Sequence, residues 1–497
     1  MGVFANLWRL ARTGATFQRT GAMAEALEAM EAPASIRVAA RVLGWPLGPL
    51  GLRGDADLPP VPRALQALGP AYVKFGQLLS TRPDVAGERL ARELRVLQDK
   101  LPPFPVEVAR AEVEKELGAP VDELFDAFEP PVAAASIAQV HPARDAVTRR
   151  PVAVKVLRPG VEAAFRRDVD AFYFIARSIE ILAPKSRRLR PTAVIEHFEG
   201  VVMTELDLRL EAAAASEFRA NTTQDRGFKV PEVFWDLSAR RVMTTEWVGG
   251  DPLGEVETLR GRGHALVPLG TFIIQSFLRH ALRDGFFHGD MHQGNLKVDR
   301  DGTLIALDFG IMGRIDPYTR RVYAEILYGF LRRDYQRVAE VHFEAGYVPQ
   351  DQDLDAFAQA LRSIGEPIFG QDASRISMAR LLAHLFDVTE RFGMQTRTEL
   401  ILLQRTMVVV EGVARTLDPN LNMWRAAQPV VEDWMKDNLG PRAALRDAQE
   451  TAKVIARYGS RLPDIVDRGL RRLAEGEAPP ARAAPTGAGW LAAAAAL

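Results

Sequence analysis

The chain has 497 residues, 47% hydrophobic and 26% charged, as expected of a globular protein with one large bilobal domain plus extensions, or two to three ordinary domains. Its 63 Lys and Arg nearly cancel its 64 Asp and Glu, so no global field draws it to nucleic acid. It has no cysteine, which excludes disulfides, thiolate chemistry and Cys-based zinc sites and suits a reducing compartment.

In chain order, residues 1–62 read as N-terminal helices and a linker. Arg9, Arg12, Arg19, Arg37, Arg41 and Arg53 stand against three glutamates over residues 1–53, so this end is mildly basic. VFANLWRLARTGATF places bulky apolar residues and Arg at roughly helical spacing, which suits a membrane surface and a helix packed on the domain equally. LGWPLGPLGLRGDADLPPVP (43–62) is a Pro- and Gly-rich connector. The start shows no secretory signal, and MGVFAN misses the myristoylation pattern at Asn6. No run approaches the ~20 apolar residues needed to span a bilayer.

Residues 63–120 carry helical periodicity. In LGPAYVKFGQLLSTRPD, Lys74 and Gln77 are three apart and share a helix face, and Gly76 permits close packing. On composition alone this is an ordinary amphipathic helix. Residues 121–250 change character. VAVKV (152–156) alternates with period two and reads as a strand bearing Lys155. Where a phosphate-covering Gly-rich loop belongs, the chain instead has VAAASIAQVHPA (132–143). Alanine and serine make that loop stiffer, its amides less free to fold over a γ-phosphate.

Helical segments follow over 161–220. MTELDLRLEAAAASEF carries Glu205, expected to pair with Lys155 and hold it toward phosphates, and Asp207 and Glu211, which share a face four apart. Glu217 reads as part of a solvated face. VPEVFWDLSARRVMTTEWVGG (230–250) reads as two strands around a polar turn. In residues 251–440, an apolar helix over 265–283 stops at Asp284-Gly285. LKV, the turn DRDG and TLIALD form a hairpin, and the rest is helical. Residues 441–497 read as a helix, the flexible linker APPARAAPTGAG (478–489) and an apolar stub, GWLAAAAAL. A strand-rich lobe, a connecting strand and a helical lobe give an α+β fold. It is bilobal and protein-kinase-like, with an N-terminal helical extension (the KFGQ helix) and a helical C-lobe.

HGDMHQGNLKVDRDGTLIALDFG (288–310) has the spacing of a phosphoryl-transfer site. Asp290 is the candidate catalytic carboxylate, and Asn295 and Asp308 are candidate magnesium ligands, brought together by the hairpin between them. Lys155, 135 residues before Asp290, is where a phosphate-contacting lysine belongs. The arginine that precedes the catalytic aspartate in many protein kinases is replaced by Gly289.

Together these motifs resemble the UbiB family of atypical kinase-like proteins associated with ubiquinone biosynthesis. KFGQ matches its K-x-G-Q signature, AAASIAQVH its Ala-rich nucleotide loop and VAVK its strand lysine. ELD matches its E-x-D motif with Glu211 in register, and HGDMHQGN and LDFG match its catalytic and metal loops. The match runs from about residue 5 to 440. The resemblance implies ATP or ADP and Mg2+ as cofactors. It implies nucleotide binding by Val132, Ala133, Ala134, Ala135, Ser136, Ile137, Ala138, Gln139, Val140, Lys155, Glu246 and Val248. It makes Lys74, Gln77, Asp207 and Glu211 family-specific gating residues, with Lys74 and Gln77 reaching from a helix that covers the peptide site to the E-x-D region. In this family ATPase or lipid-linked activity is discussed more readily than protein phosphorylation. Without the arginine and an APE-like segment, activation by loop phosphorylation is not expected.

Gln293, Gly289 and Ala214 stand where the family usually has proline, alanine and asparagine; none of these is a metal ligand or phosphate contact. Relatives continue into a C-terminal membrane hairpin, of which GWLAAAAAL is a stub unless the sequence stops short of it. Residues 438–497 have nine basic and six acidic residues, so they suit anionic lipid. The expected location is a bacterial inner membrane with the catalytic domain on the cytoplasmic side. Expected partners are its anionic lipids, ubiquinone-pathway intermediates or enzymes, and a second copy in a homodimer, with no nucleic acid. Three functions compete: a kinase-like ATPase or phosphotransferase supporting ubiquinone biosynthesis, a small-molecule phosphotransferase of the choline- or aminoglycoside-kinase sort, and a nucleotide-binding scaffold without catalysis.

Overall fold

The computed structural model describes residues 3–29, 44–80, 88–94, 103–182, 191–370 and 398–440, with isolated residues between them. The expected C-terminal helix, linker and stub lie outside the described residues. Two compact units divide the chain: Met1–Ala213 with Glu232–Trp247, and Ala214–Pro231 with Val248–Leu497. Among the described residues, no helix is long and apolar enough to cross a membrane.

The first unit opens with helices α1 (Val3–Thr20), α2 (Ala22–Ala29), α3 (Pro60–Leu68), α4 (Pro70–Ser80), α5 (Glu88–Leu94) and α6 (Val106–Leu117). From Arg9 onward, α1 packs within this unit. Ala15, Thr16 and Thr20 are buried, Thr13 Oγ1 bonds the Tyr72 hydroxyl at 2.8 Å, and Arg19 donates to the Gly51 carbonyl at 2.7 Å. Helix α4, which carries KFGQ, sets Tyr72 and Phe75 against Phe172 of α7 (Val161–Leu182), with ring centroids 4.8 and 5.0 Å apart. Phe75 also meets Phe198 of α8 (Pro191–Glu205) at 5.3 Å. Such edge and offset contacts add to the area these rings bury. A Cβ on Gly76 would lie 2.4 Å from Leu97 Cδ1 and 2.7 Å from Leu65 Cδ1, so any larger residue here would push these leucine side chains aside.

The sheet of this unit contains β1 (Phe125–Phe128), β2 (Ala133–Ala134), β3 (Ala138–Asp145), β4 (Pro151–Leu157) and β5 (Val242–Glu246). They pair antiparallel in the order β1-β3-β4-β5, with β2 also on β3. Period-two alternation drives β4. Val152, Val154 and Val156 are fully buried, with Val113, Val121, Phe125 and Val242 in the same core, while Ala153 and Lys155 take the opposite face. Of the two strands expected over 230–250, only Val242–Glu246 forms in this unit. Val233 makes an isolated bridge to Thr245, and Trp235–Leu237 is a 3-10 turn across which the Ser238 hydroxyl donates to the Phe234 carbonyl. The helical stretch over 161–220 is also broken: α8 ends at Glu205 and α9 (Leu208–Thr222) begins three residues later.

In the second unit, the apolar helix α10 (Leu266–Arg279) passes through a π turn, His280–Asp284, into Gly285 at φ 66°. Strand β6 (Phe286–His288) follows, paired with β9 (Met312–Arg314). The expected hairpin is β7 (Leu296–Val298) and β8 (Leu304–Ala306). Asp299 Oδ1 accepts the Asp301 and Thr303 amides at its turn, at 2.9 and 2.8 Å. Short strands Phe228–Lys229 and Asp251–Pro252 extend this sheet on either side. Farther on, Phe330, Tyr335, Val338, Phe357 and Leu361 form an apolar core under the C-terminal helices.

Buried His280 is edge-on to Phe218 and Phe228 and bonds Asp225 at 3.1 Å. Burial alone would raise the Asp225 pKa, but the bonds from His280 and Arg283 outweigh it and hold the carboxyl well below its ordinary value. Burial lowers the pKa of His280, His288 and His342, that of His342 to about 4. A histidine depressed in the folded state gives stability that is complete above its unfolded pKa and is lost as pH falls toward the folded value. For His342 the window runs from about 6.5 to about 4 and is worth roughly 3 kcal/mol. Denaturation midpoints are therefore expected to fall steadily between pH 7 and 4. His342→Gln should flatten that decline, as read by urea unfolding at several pH values.

Candidate functional site

In the first unit Lys155 sits at the centre of β4, opposite Val140 on β3 and Met243 on β5. Its Nζ donates to both oxygens of Glu211, at 2.7 and 2.8 Å. The side chains are 21% and 10% exposed, so each charge is substantially desolvated and depends on the other. The pair expected between Lys155 and Glu205 is thus made by Glu211. Glu205 instead meets Lys74, the K-x-G-Q lysine, at 3.0 Å. Lys74 accordingly reaches the E-x-D region as expected, while Gln77 Nε2 donates to the Leu97 carbonyl at 3.3 Å.

The helix break explains the exchange. Asp207 Oδ1 accepts the Arg209 amide at 3.2 Å and caps the start of α9. The bonds from Arg209 also hold its carboxyl below the ordinary value. Glu205 therefore ends one helix while Glu211 lies in the next. An Asp just before an apolar periodic run is a helix-start signal, and LDLRL carries it.

The Ala-rich segment is a tight turn between β2 and β3. The Val132 amide bonds Val140 O at 2.9 Å, and the Ala135 amide bonds Ala138 O at 2.7 Å. Ala133 and Ala134 pair with Val140 and Gln139. Ser136, Ile137, Ala138 and Gln139 are buried, and Ser136 Oγ is buried with no hydrogen-bond partner among the described residues. The Gln139 side chain is committed elsewhere. Its Oε1 accepts the Phe104 amide at 2.9 Å, its Nε2 donates to the Phe104 carbonyl at 3.2 Å, and it meets His141 Nε2 at 2.8 Å. Only the backbone of Gln139 remains for a ligand. His141 Nδ1 bonds the Glu129 carbonyl at 2.8 Å, and burial lowers its pKa, so it is the neutral partner of Gln139. Glu246 ends β5, its amide on the Glu232 carbonyl at 2.8 Å. Val248 is buried in the second unit.

Within the second unit, Asp290, Asn295 and Asp308 converge through backbone and one histidine. The Asp290 amide donates to His288 Nδ1 at 3.1 Å, and His288 Nε2 bonds the Leu307 carbonyl at 3.1 Å. The Leu307 amide donates to the Asn295 carbonyl at 2.8 Å. Asn295 Nδ2 donates to the Asp290 carbonyl at 3.1 Å, which turns its Oδ1 away from that carbonyl. Asp308 is exposed and left-handed, with φ 57°, a conformation Asp tolerates better than most residues. Its Oδ1 accepts the Gly310 amide at 3.2 Å. His292 Nε2 lies 3.6 Å from Asp290 Oδ2.

Among the described residues, no group of three or more His, Asp or Glu could hold a metal ion. One carboxylate and one amide oxygen nonetheless fit magnesium, which takes few protein oxygens and completes its shell with water and substrate phosphates. The buried, unpartnered Ser136 hydroxyl suits a phosphate oxygen in the same way.

Gly289 has little room for a side chain. A Cβ there would lie 2.9 Å from Ile311 Cγ2 and 3.1 Å from the Ile311 carbonyl, with Leu402 Cδ1 at 3.4 Å. The Gly289 carbonyl accepts from Thr406 Oγ1 at 2.9 Å, which ties the Asp290 loop to α11 (Thr398–Leu417). The next residue back, Arg405, acts electrostatically on Asp290. Arg405 is exposed overall, yet desolvation of its guanidinium pulls its pKa down while the Asp290 carboxylate pulls it up. Sequence reasoning missed Thr406 and Arg405. They lie more than 100 residues from Asp290, in a segment with no motif of its own.

An antiparallel sheet with a lysine–glutamate pair, and a second unit with D-x-x-x-x-N and D-F-G loops joined by a hairpin, define a protein-kinase-like protein. Residues 96–342 match the ABC1 atypical kinase-like domain, and residues 361–422 match the UbiB helical domain. A protein of Marinobacter nauticus named probable protein kinase UbiB is 40% identical over 415 residues, covering 82% of this chain and 76% of its own. One of the same name from Aeromonas salmonicida is 40% identical over 414 residues, with the same coverage. A solved structure, the complex structure of Rv3197-erythromycin from Mycobacterium tuberculosis, aligns with TM-score 0.47 and 24% identity, covering 70% of this chain and 92% of that one. The chain belongs to the UbiB family of atypical kinase-like proteins.

Double-mutant cycles should give a coupling of about 0.5–3 kcal/mol for Lys155 with Glu211, and a value near zero for Lys155 with Glu205. At position 308, Asn should keep wild-type stability. Valine should cost about 1–2 kcal/mol or more, because a β-branched residue is strained at that φ; thermal unfolding of the two variants reads the difference.

Proposed function

We propose that the chain binds Mg2+ and ATP and hydrolyses it, or transfers its phosphoryl group to a small or lipid acceptor, in support of ubiquinone biosynthesis at the cytoplasmic face of the inner membrane. The observation that carries this reading is the convergence of Asp290, Asn295 and Asp308 through His288 and the Leu307–Asn295 backbone bond. The Lys155–Glu211 pair supports it, because a lysine fixed by a carboxylate is pre-oriented for phosphates. Family membership supports the link to ubiquinone, and the basic character of residues 1–53 supports the membrane.

In this reading Asp290 orients the attacking oxygen by accepting its hydrogen bond, with Arg405 adding positive charge to its surroundings. Asn295 and Asp308 hold Mg2+, which when bound neutralises phosphate charge. Lys155 contacts nucleotide phosphates, and the stiff Ala133–Ala138 turn presents backbone amides to them. The family resemblance, which implies a KFGQ helix over the peptide site, favours a small acceptor or water, and the Lys74–Glu205 pair supports the link of that helix to the E-x-D region.

His292 beside Asp290 favours a second reading, a small-molecule phosphotransferase with the H-G-D-x-H-x-x-N pattern. The test is Mg2+-dependent ATP hydrolysis by the purified protein, with and without anionic liposomes, beside Asp290→Asn and Asp308→Asn. Turnover that rises on liposomes and drops at least about 100-fold in both variants is expected. Turnover stimulated by a soluble amino alcohol but not by liposomes would favour the second reading. Nucleotide binding without turnover in any condition would leave a scaffold.

A further inference from the structure

We propose that Arg158 is a positioning residue for the nucleotide loop: it clamps the Ala135 carbonyl and so fixes the backbone amides that the phosphates meet. This rests on the nucleotide-binding reading above and assigns the control of that loop to a residue outside every motif.

Arg158 follows β4 by one residue, three beyond Lys155. Its Nε and Nη2 both donate to the Ala135 carbonyl, at 3.1 and 2.9 Å. Its own amide donates to the Ile137 carbonyl at 2.8 Å. One residue therefore grips the turn on both sides of Ser136. Two groups at one carbonyl form a fork that lysine cannot reproduce. Charge-assisted bonds of this kind are about twice as strong as neutral ones.

The clamp is itself rigidly mounted. The Arg158 carbonyl accepts from Arg241 Nη2 at 3.0 Å. Arg241 is held by Glu112 at 3.1 Å and by Glu162, and the Leu157 amide bonds the Arg241 carbonyl at 3.0 Å. The guanidinium lies over the Phe104 ring, 5.6 Å from its centroid, and the Phe104 backbone holds Gln139 on the far side of the turn. Phe104, Arg158 and Gln139 thus strap the loop at residues 135, 137 and 139. Half-burial makes the arrangement stiff, and burial also lowers the Arg158 pKa.

A loop held by its carbonyls cannot fold further over a terminal phosphate without breaking the Ala135 bonds. The Ala-rich sequence limits the freedom of this loop, and Arg158 selects the one conformation it takes. Releasing the clamp should then act on nucleotide binding before it acts on chemistry.

The experiment compares wild type, Arg158→Ala and Arg158→Lys by hydrogen exchange and by nucleotide titration. In Arg158→Ala, exchange of the peptide covering residues 132–141 should quicken about tenfold while that covering 152–156 is unchanged. The KM for Mg·ATP and the Kd for Mg·ADP should rise at least about fivefold, with kcat within about twofold. Arg158→Lys should lie between, as a single-point donor does. Unchanged loop exchange, exchange raised across the whole sheet, or a loss of kcat with KM intact would each overturn the proposal. If wild type binds neither nucleotide, the functional reading fails, and the clamp is judged by the exchange data alone.

Discussion

The loops that carry Asp290 and Asp308 depend on one imidazole remaining neutral. His288 must donate from Nε2 to the Leu307 carbonyl and accept at Nδ1 from the Asp290 amide. An imidazolium has two donors and no acceptor, so protonation would set N–H against N–H at Asp290. Burial prevents this by pulling the His288 pKa down. Phe309, with its ring centroid 5.6 Å from that of His288, and Phe218 at 6.5 Å supply much of the apolar surroundings. The phenylalanine of D-F-G thus contributes to the electrostatics of the aspartate nineteen residues earlier in the chain. Asp290, Asn295 and Asp308 share one rigid frame because the same residues that shape the loops also exclude water from their hinge.

In the first unit the ordering principle is charge pairing under partial desolvation. Lys74, Lys155, Glu205 and Glu211 are each less than a quarter exposed, and each cation has a carboxylate within 3.0 Å. Unpaired charges at that depth would be costly, so the helices arrange themselves to satisfy both lysines. The turn at Leu206-Asp207 makes this feasible, with both flanking leucines buried and Asp207 capping the new helix. The K-x-G-Q lysine and the strand lysine are therefore coupled through one short stretch of chain. A change at Asp207 would be felt at both.

Legibility followed the range of the interactions. The hairpin at Asp299, the helix ending at Gly285 and the strand around Lys155 rest on contacts within a few residues, and their period or turn chemistry is visible in the letters. The choice between Glu205 and Glu211 was only half visible: LDLRL marks the helix break, but which carboxylate then meets Lys155 is set by packing between distant elements. The diversion of Gln139 to Phe104 was hidden too, since it joins residues 35 apart across a sheet. Thr406 and Arg405 were out of reach for the same reason, acting from a helix whose own pattern is merely apolar.

The space around Gly289 has an evolutionary consequence. An arginine at this position, as in many phosphorylation-activated kinases, would meet Ile311 and Leu402 before its side chain cleared the backbone. Changing the glycine alone would thus disturb the packing next to Asp290 and yield no new control. An alanine, which the family usually has here, would already need Ile311 to give way slightly, so positions 289 and 311 are expected to change together.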